Sequence, residues 1–221
     1  WVKSRGSAYE HEWTDAVRGV TKAISSDSNN VESTDSTGLT AFGADGFTVG
    51  ADTNYSDTTG SGMVAWSWTA PTTNSGSTTG SGTAKAYSSS TSAASGISII
   101  KYIGNNTSGH EIPHHLGVAP EFLIVKRLDA VVDWHAWQIG MGADKYIWLN
   151  QSNPMYGSVN YFKAVSSTTF TLGTDSSINA DDADYVCYAF AGIEGYSKLS
   201  SYEGNANADG TFVYTGFRPA I

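Results

Sequence analysis

The residues with the clearest potential for metal chemistry are His110, Glu111 and His114. The run His110-Glu111-Ile112-Pro113-His114 has the spacing of the zinc-protease pattern, in which two histidines bind the metal and the glutamate acts as a base. That arrangement needs a helix, because only a helix places positions i and i+4 on one face. Pro113 disfavours a helix, since it lacks a backbone donor and clashes with the preceding turn. We therefore expect a solvent-exposed loop or strand carrying His110, His114 and His115, with an interface metal as the alternative.

A second candidate is an acidic loop. Asp181, Asp182 and Asp184 stand just before an apolar run that starts at Tyr185. Loops rich in carboxylate oxygens suit Ca²⁺, but the glycine and the closing glutamate of an EF-hand are missing. The loop from Asp181 to Asp184 is therefore interpreted as a solvated hairpin tip, and calcium binding remains open.

Acid, base and nucleophile candidates are sparse elsewhere. Glu10, Glu12 and Asp15 cluster around His11, which is an ordinary density of charge for a protein surface. The sequence contains no nucleophile elbow, phosphate-binding loop or paired-cysteine site. Its single cysteine, Cys187, lies in an apolar run and is expected to be a small buried core residue. We assign no catalytic, cofactor-binding or metal-binding residue and expect a protein that is not an enzyme.

The aromatic residues are the remaining candidates for ligand binding. Trp66 and Trp68 match Tyr188 and Phe190 in a second copy of the same motif, and aromatic character at equivalent positions is typical of a core. A non-matching aromatic residue, such as Trp137 or Tyr156, could instead face a ligand. The ligand-binding residues stay unknown at this point.

The composition argues against several classes of function. The 221-residue chain has a net charge of −9 and only 15% charged residues, so it lacks the clustered basic surface that nucleic-acid binding requires. No apolar run approaches the ~18 residues of a membrane span, so no membrane insertion is expected. The chain opens on Trp1 rather than Met, which favours a processed product or a piece of a longer protein.

The elements that would position these residues are almost all strands. Short β-branched and aromatic runs alternate with Gly, Asn, Asp and Ser every 8–15 residues or so, which predicts an all-β, antiparallel β-sandwich of jelly-roll-like type. The predicted strands are Ile97–Ile103, Phe122–Val125, Tyr146–Leu149, Phe170–Leu172, Tyr185–Phe190 and Thr211–Tyr214. Asp45-Gly46 predicts a hairpin turn before Phe47. The segment from Asp15 to Ile24 is the one place where a short helix is expected.

Residues 71–95 are rich in Ser, Thr and Gly. Their composition is typical of a flexible connector. The alternation in Thr83–Ser88 favours an extended strand instead, and both interpretations remain open.

The chain also repeats its own sequence. The matched runs are Gly96–Asn105 with Gly195–Asn205, Phe47–Gly50 with Phe170–Gly173, Val64–Trp68 with Val186–Phe190, and Trp1–Arg5 with Leu123–Arg127. We therefore predict two homologous repeat units. Residues 1–70 form part of unit A, completed by residues 195–221 or by a neighbouring copy. Residues 71–95 join it to a full unit B at 96–194, and residues 195–221 start the next unit.

The order of these motifs resembles a known family. The run from Gly96 to Asn105 is followed by Gly117–Arg127, by Trp134, by Phe170–Gly173 and by Tyr185–Ala191. This resembles a repeated β-domain of tail-fibre and other virion surface proteins of marine bacteriophages, especially cyanophages. The resemblance covers nearly the whole chain apart from residues 71–95.

The resemblance implies a virion surface, and hence extracellular, location and a structural role in host attachment, with host glycan as a possible partner. It brings no catalytic residues. A homotrimer is expected by analogy with other fibres, or a head-to-tail fibre in which the end near Ile221 meets Trp1 of another copy. The alternatives are a capsid decoration protein, an extracellular surface filament or adhesin, and a fibre-borne glycan depolymerase.

Overall fold

The fold is built almost wholly from antiparallel strands, as the sequence predicted. A computed structural model describes residues 1–57, 60 and 62–219. Its strands, in chain order, are β1 (Val2–Ser4), β2 (Glu12–Trp13), β3 (Lys22–Ser25), β4 (Ser33–Thr34), β5 (Leu39–Phe42), β6 (Phe47–Val49), β7 (Met63–Ala65), β8 (Thr72–Ser77), β9 (Thr79–Gly80), β10 (Ala86–Ser92), β11 (Ile97–Ile103), β12 (His110–Pro113), β13 (Phe122–Arg127), β14 (His135–Gln138), β15 (Lys145–Trp148), β16 (Tyr156–Gly157), β17 (Phe162–Val165), β18 (Thr169–Leu172) and β19 (Asp184–Phe190). A 3-10 turn covers Ile139–Met141, and a short helix, α1, covers Ser176–Asn179.

The strands form three sheets and a hairpin that stack in layers. Sheet I has the order β4-β3-β2-β1-β7, sheet II the order β16-β15-β14-β13-β19-β11-β10-β8, and sheet III the order β17-β18-β12-β9; β5 and β6 form the hairpin. One apolar cluster joins the hairpin to sheet I, a second joins sheet I to sheet II, and a third, the largest, joins sheet II to sheet III. Strands are buried on both faces only where two layers cover them, and β19 is such a strand.

The strand pairing of unit A recurs in unit B at an offset of 122 or 123 residues. The matched pairs are Val2↔Glu12 with Val125↔His135, Glu12↔Ser25 with His135↔Trp148, and Lys22↔Thr34 with Lys145↔Gly157. Each residue differs from its counterpart by 123 (125 − 2, 135 − 12, 157 − 34). In the last strand of each unit the offset is 122, since Lys3↔Val64 recurs as Lys126↔Val186.

Even the irregularities recur. The β5–β6 ladder has a bulge between Leu39 and Ala41, and the β17–β18 ladder has one between Phe162 and Ala164, again 123 residues on. A Cβ atom at Gly50 would collide with the backbone of Thr37, and one at the counterpart Gly173 would collide with the backbone of Asn160. Both positions therefore require glycine. The two units therefore share one pairing scheme; their common ancestry stays a prediction.

The penultimate residue of the first strand in each unit is a lysine, and the two lysines make equivalent hydrogen bonds. Lys126 is fully buried, and its Nζ donates to the carbonyls of Arg127 and Val132, both at 2.8 Å. Burial lowers the pKa of Lys126 to about 8. Lys3 donates to the carbonyls of Ser7 and Tyr9 at 3.0 and 2.9 Å. In both units, the lysine ammonium group thus binds backbone carbonyls of the chain that follows its strand and holds that loop in place.

Residues 71–95 form strands, which decides between the two interpretations of that segment. β8 and β10 extend sheet II beyond β11, and β9 extends sheet III beyond β12. The segment therefore adds to both sheets of unit B. Cys187 is fully buried between these sheets, as predicted, and burial raises the pKa of its thiol.

Two predicted elements are absent from the described residues. The expected helix from Asp15 to Ile24 is wrong, because Gly19 and Thr21 have positive φ angles (100° and 65°) and β3 begins at Lys22. The expected strand Thr211–Tyr214 is also wrong, since those residues form exposed chain without ladder partners. The predicted contact of the chain end with Trp1 involves Ile221, which lies outside the described residues.

A buried ion-pair network joins the two units. The Arg18 guanidinium is almost fully buried and donates to Asp15 at 2.6 Å, to Glu32 at 3.1 Å and to the Trp13 carbonyl at 2.9 Å. From unit B, the Tyr188 hydroxyl donates to Asp15 at 2.7 Å. Burying charges is costly unless they are paired, so this network fixes the one arrangement of sheet I on sheet II that satisfies them all.

The equivalent positions of unit B suggest how to test this network. Arg18 and Asp15 correspond to Met141 and Gln138 at the 123-residue offset (141 − 18, 138 − 15). We predict that Arg18→Met alone lowers the free energy of unfolding by about 3 kcal/mol, because it leaves Asp15 charged and buried without its cation. The double variant Arg18→Met/Asp15→Gln should lose about half as much, because position 15 is then uncharged and Glu32 keeps Lys22 at 3.8 Å. Urea unfolding of the three proteins measures both values, and a double variant that is less stable than Arg18→Met would contradict the assignment.

Candidate functional site

An aromatic cleft lies where the two units meet. Its lining residues come from unit A (Trp1, His11, Trp13, Ser26 and Asp27) and from unit B (Ile124, Leu149, Asn150, Gln151 and Ser152), and its volume is about 550 Å³. On β2, successive side chains point to opposite faces, so Trp13 faces unit B while Glu12 faces the core of unit A. Packing sheet I against sheet II therefore creates the cleft.

Indole rings form one wall of the cleft. The Trp1 ring packs on Trp66 with centroids 4.3 Å apart and meets the His11 ring edge-on at 5.8 Å. The Trp13 ring stacks on Trp68 at 6.1 Å and leans on the buried Trp134 at 5.9 Å. These contacts hold the rings in place before any ligand arrives, which reduces the entropy lost on binding.

Amide and carboxylate side chains line other parts of the cleft. Asp27 accepts from the His11 backbone N–H at 3.0 Å. Asn150 and Gln151 both donate to Asp133, at 2.8 and 2.6 Å, so the two amides are oriented by one carboxylate. Fixed polar groups and fixed aromatic rings that line one cleft are suited to a hydroxyl-rich ligand with an apolar face, such as a sugar ring.

Sequence reasoning did not find this cleft. Trp1 and Trp13 are separated from Asn150 and Gln151 by more than 130 residues, and only the packing of the units brings them together. The aromatic residues proposed as ligand contacts lie elsewhere. Trp137 is buried in the largest core, where its indole N–H donates to the Gly142 carbonyl at 2.7 Å.

The other aromatic predictions have mixed outcomes. Tyr156 is half-exposed on β16, packed on Trp148 with centroids 4.8 Å apart and away from the cleft. Tyr188 is a core residue, as expected. Its counterpart Trp66 is only half-buried, and the expectation of a core position for Trp68 is wrong, since that ring is 41% exposed.

The two histidines of the zinc-like pattern and the adjacent His115 have different surroundings. His110 lies on strand β12 and is fully buried, with ring nitrogens 2.8 Å from Asn179 Oδ1 and 2.7 Å from Thr78 Oγ1. His114 is also buried and bonds to the Ser166 carbonyl at 3.2 Å. His115 lies 2.8 Å from the Tyr87 hydroxyl.

The expected strand is therefore present at His110, but the expected exposure of His110 and His114 is wrong. Both imidazole rings are buried and hydrogen-bonded to neighbouring groups of the protein. Burial lowers the pKa of both rings. Among the residues that the structure describes, no group of His, Cys, Asp and Glu side chains is arranged to hold a metal ion.

The acidic loop pairs with lysines. Lys85 Nζ lies 2.9 Å from Asp181 and 2.5 Å from Asp182, and these hydrogen bonds raise the pKa of Lys85. Asp184 lies 3.4 Å from Lys101 Nζ. The ammonium group of Lys85 thus takes the place between Asp181 and Asp182 that a cation would need.

The acidic residues near His11 are not ordinary surface charges, which corrects the earlier expectation. Asp15 belongs to the buried network with Arg18, and Glu12 is only 5% exposed. Ser25 Oγ donates to Glu12 at 3.0 Å and also to Glu10. Burial raises the pKa of Glu12 to about 7; the Ser25 hydrogen bond opposes this shift, and the carboxylates of Glu10, Asp52 and Asp27 add to it.

This shift predicts a pH dependence of stability. The folded state holds the proton of Glu12 more tightly than the unfolded chain does, so the stabilisation is complete below about pH 4.5 and is lost as the pH rises through about 7. We predict that the free energy of unfolding of the parent chain falls by about 1–3 kcal/mol between pH 5 and pH 8 because of Glu12. The Glu12→Gln variant should lack this fall, because glutamine stays neutral. Urea unfolding of both proteins across that range tests this. Parallel pH profiles of the two proteins would show that Glu12 does not titrate as described.

Comparison with known proteins places the whole chain in one family. No helix in the described part of the chain is long and apolar enough to cross a membrane. No curated protein and no solved structure matches the chain. A family model described as Domain of unknown function (DUF7483) matches residues 1–221. The chain therefore belongs to the DUF7483 family.

Proposed function

We propose that this chain is a structural and host-attachment component of a phage virion, in a tail fibre or a similar surface appendage. The viral setting rests on the motif resemblance described above. The structural role is supported by one observation, the recurrence of the same strand pairing at an offset of 123 residues. A unit that repeats its pairing and packs on its neighbour is the usual way to build an extended protein.

The aromatic cleft is the proposed place of contact with host glycan. Rings such as Trp13 offer flat apolar faces, and Asn150, Gln151 and Asp27 offer hydrogen-bonding groups. A binding role fits better than hydrolysis, because glycoside hydrolases generally use two carboxyl groups. Asp27 is the single carboxylate among the described residues that line the cleft.

The location of the chain separates the structural candidates. Gold-labelled antibodies against this chain, applied to intact phage particles, should decorate the tail or its fibres. Label on the head would instead identify a capsid decoration protein, and label on free filaments a surface filament or adhesin. Either result would overturn the proposed tail appendage.

Glycan binding is tested with substitutions of two polar residues that line the cleft. Asp27→Ala and Gln151→Ala should each weaken binding to polysaccharide extracted from the host surface about tenfold, which corresponds to ~1.4 kcal/mol. Both side chains are exposed, so folding should be preserved. The matched control is Asp45→Ala, at the exposed tip of the β5–β6 hairpin and away from the cleft.

Calorimetric titration of the four proteins measures the effect. Equal affinities for the parent chain and the two cleft variants would remove the cleft as the glycan site. Shortening of the polysaccharide during incubation would favour the depolymerase alternative over a purely adhesive role.

A further inference from the structure

Unit B shows what unit A lacks. In unit B, β11 lies beside β19 in sheet II, and β12 lies beside β18 in sheet III. In unit A, β7 is the equivalent of β19, and β6 is the equivalent of β18. In the described structure, β7 lies at the edge of sheet I and β6 has β5 as its only partner strand. Both therefore present unpaired backbone N–H and C=O groups, which is the situation that invites an added strand.

The missing strands also leave apolar side chains uncovered. Phe170 of β18 is fully buried, because Tyr102 of β11 and Ile112 of β12 belong to the core that covers it. Its counterpart Phe47, 123 residues earlier, occupies the same ladder position but is 40% exposed. Ala65, the counterpart of the buried Cys187, is likewise exposed. The core of unit A is therefore open on the side where β11 and β12 close unit B.

The chain itself carries a second segment with the sequence of those strands. Gly195, Tyr202 and Gly204-Asn205 match Gly96, Tyr102 and Gly104-Asn105. After a loop that is one residue longer, Gly210-Thr211-Phe212-Val213 follows as Gly109-His110-Glu111-Ile112 does in unit B. This match assigns Tyr202 the position of Tyr102, and Val213 the position of Ile112.

In the structure this segment does not pair with any strand and exposes its large side chains. Tyr202 is 70% exposed, whereas Tyr102 is fully buried. Phe212 and Tyr214 are exposed as well. Large apolar side chains that stay in water on one contiguous segment mark an interaction site. The segment thus has the sequence of a core strand pair without the burial.

We propose that residues 197–214 of one copy form two strands that complete unit A of a second copy. The first strand lies antiparallel to β7, and the second lies antiparallel to β6. The register follows from unit B, where Tyr102 pairs with Tyr185 and Ile112 pairs with Phe170. Tyr202 therefore lies opposite Met63, Val213 lies opposite Phe47, and both cover the Phe47 ring.

The geometry favours a second copy over closure within one chain. The segment follows β19 and lies beside unit B, where Ser201 approaches Gly140. In unit B, Pro120 leads directly into β13, so the matching Pro219 should lie just ahead of β1 of the unit that receives the segment. Donor and acceptor are different surfaces of the same chain, so each copy can accept one neighbour and donate to another. Such heterologous contacts build a filament. The inference deepens the proposed structural role and rests on it for its biological setting.

Mixed-chain cross-linking tests the register directly. Chains carrying Met63→Cys are mixed with chains carrying Tyr202→Cys and oxidised. Residues opposite each other in an antiparallel pair have Cβ atoms ~4.5–5.5 Å apart, close enough for a disulfide after a small adjustment. We expect a disulfide-linked pair of unlike chains on a non-reducing gel. The native Cys187 is fully buried and should not interfere.

The matched control replaces Tyr202→Cys with Tyr156→Cys. Tyr156 is another exposed tyrosine, and its counterpart in unit A is Ser33, so the position tolerates a small side chain. The Met63/Tyr202 mixture should cross-link at least tenfold more than the Met63/Tyr156 mixture. Equal yields, or no cross-link in either, would overturn the proposal.

A single chain carrying both Met63→Cys and Tyr202→Cys distinguishes the two modes of closure. A ladder of linked oligomers supports donation to a second copy, whereas an internally linked monomer overturns it. Sedimentation of the Tyr202→Ser variant provides a readout without cysteines: its self-association should weaken at least tenfold, while Tyr156→Ser should behave as the parent chain. None of these experiments uses phage particles or glycan, so their failure is separate from failure of the proposed host-attachment role.

Discussion

Apolar side chains on both faces of β19 impose the layered architecture of this protein. Tyr185, Cys187 and Ala189 point towards sheet III, while Val186 and Tyr188 point towards sheet I. Such a strand must be covered twice, because leaving either face in water would forfeit about 25 cal/mol for each Å² of apolar surface. Unit A supplies the second cover. Its docking also brings the Trp13 and Gln151 sides of the aromatic cleft together, so the candidate site is a product of that packing.

The same requirement explains the difference between the two units. Unit B satisfies it with its own β11 and β12, and eighteen of the described residues form its buried core. Unit A repeats the pairing of β13–β19 in β1–β7 but has no strand beyond β7 in the described structure, and its core holds four. Our two proposals follow from these facts. A repeated strand pairing is suited to an extended appendage, and a unit that lacks the equivalents of β11 and β12 can be completed by strands from a neighbouring chain.

Much of the fold could be predicted from the sequence, since alternation of apolar residues is a local signal. The run Ile97–Ile103 forms a strand with those bounds, and the Asp45-Gly46 turn joins β5 to β6. The helix expected from Asp15 was wrong, because Gly19 and Thr21 have positive φ angles and the Thr21 N–H donates to the Leu39 carbonyl, a partner far along the chain. Burial of Glu12, Arg18 and His110 could not be predicted, since it depends on partners far away in the chain. The aromatic cleft was missed for the same reason.

Amide hydrogen exchange measured at low and at high protein concentration tests most directly whether unit A is completed by a neighbour. At low concentration, the amide of Phe170 in β18, which points towards β12, should be protected, and that of the equivalent Phe47 in β6, which points to the open edge, should exchange freely. At high concentration, the amides of Phe47, Met63 and Val213 should become protected together, because they enter the two added ladders. Exchange at Phe47 and Val213 that stays fast at every concentration would contradict the account.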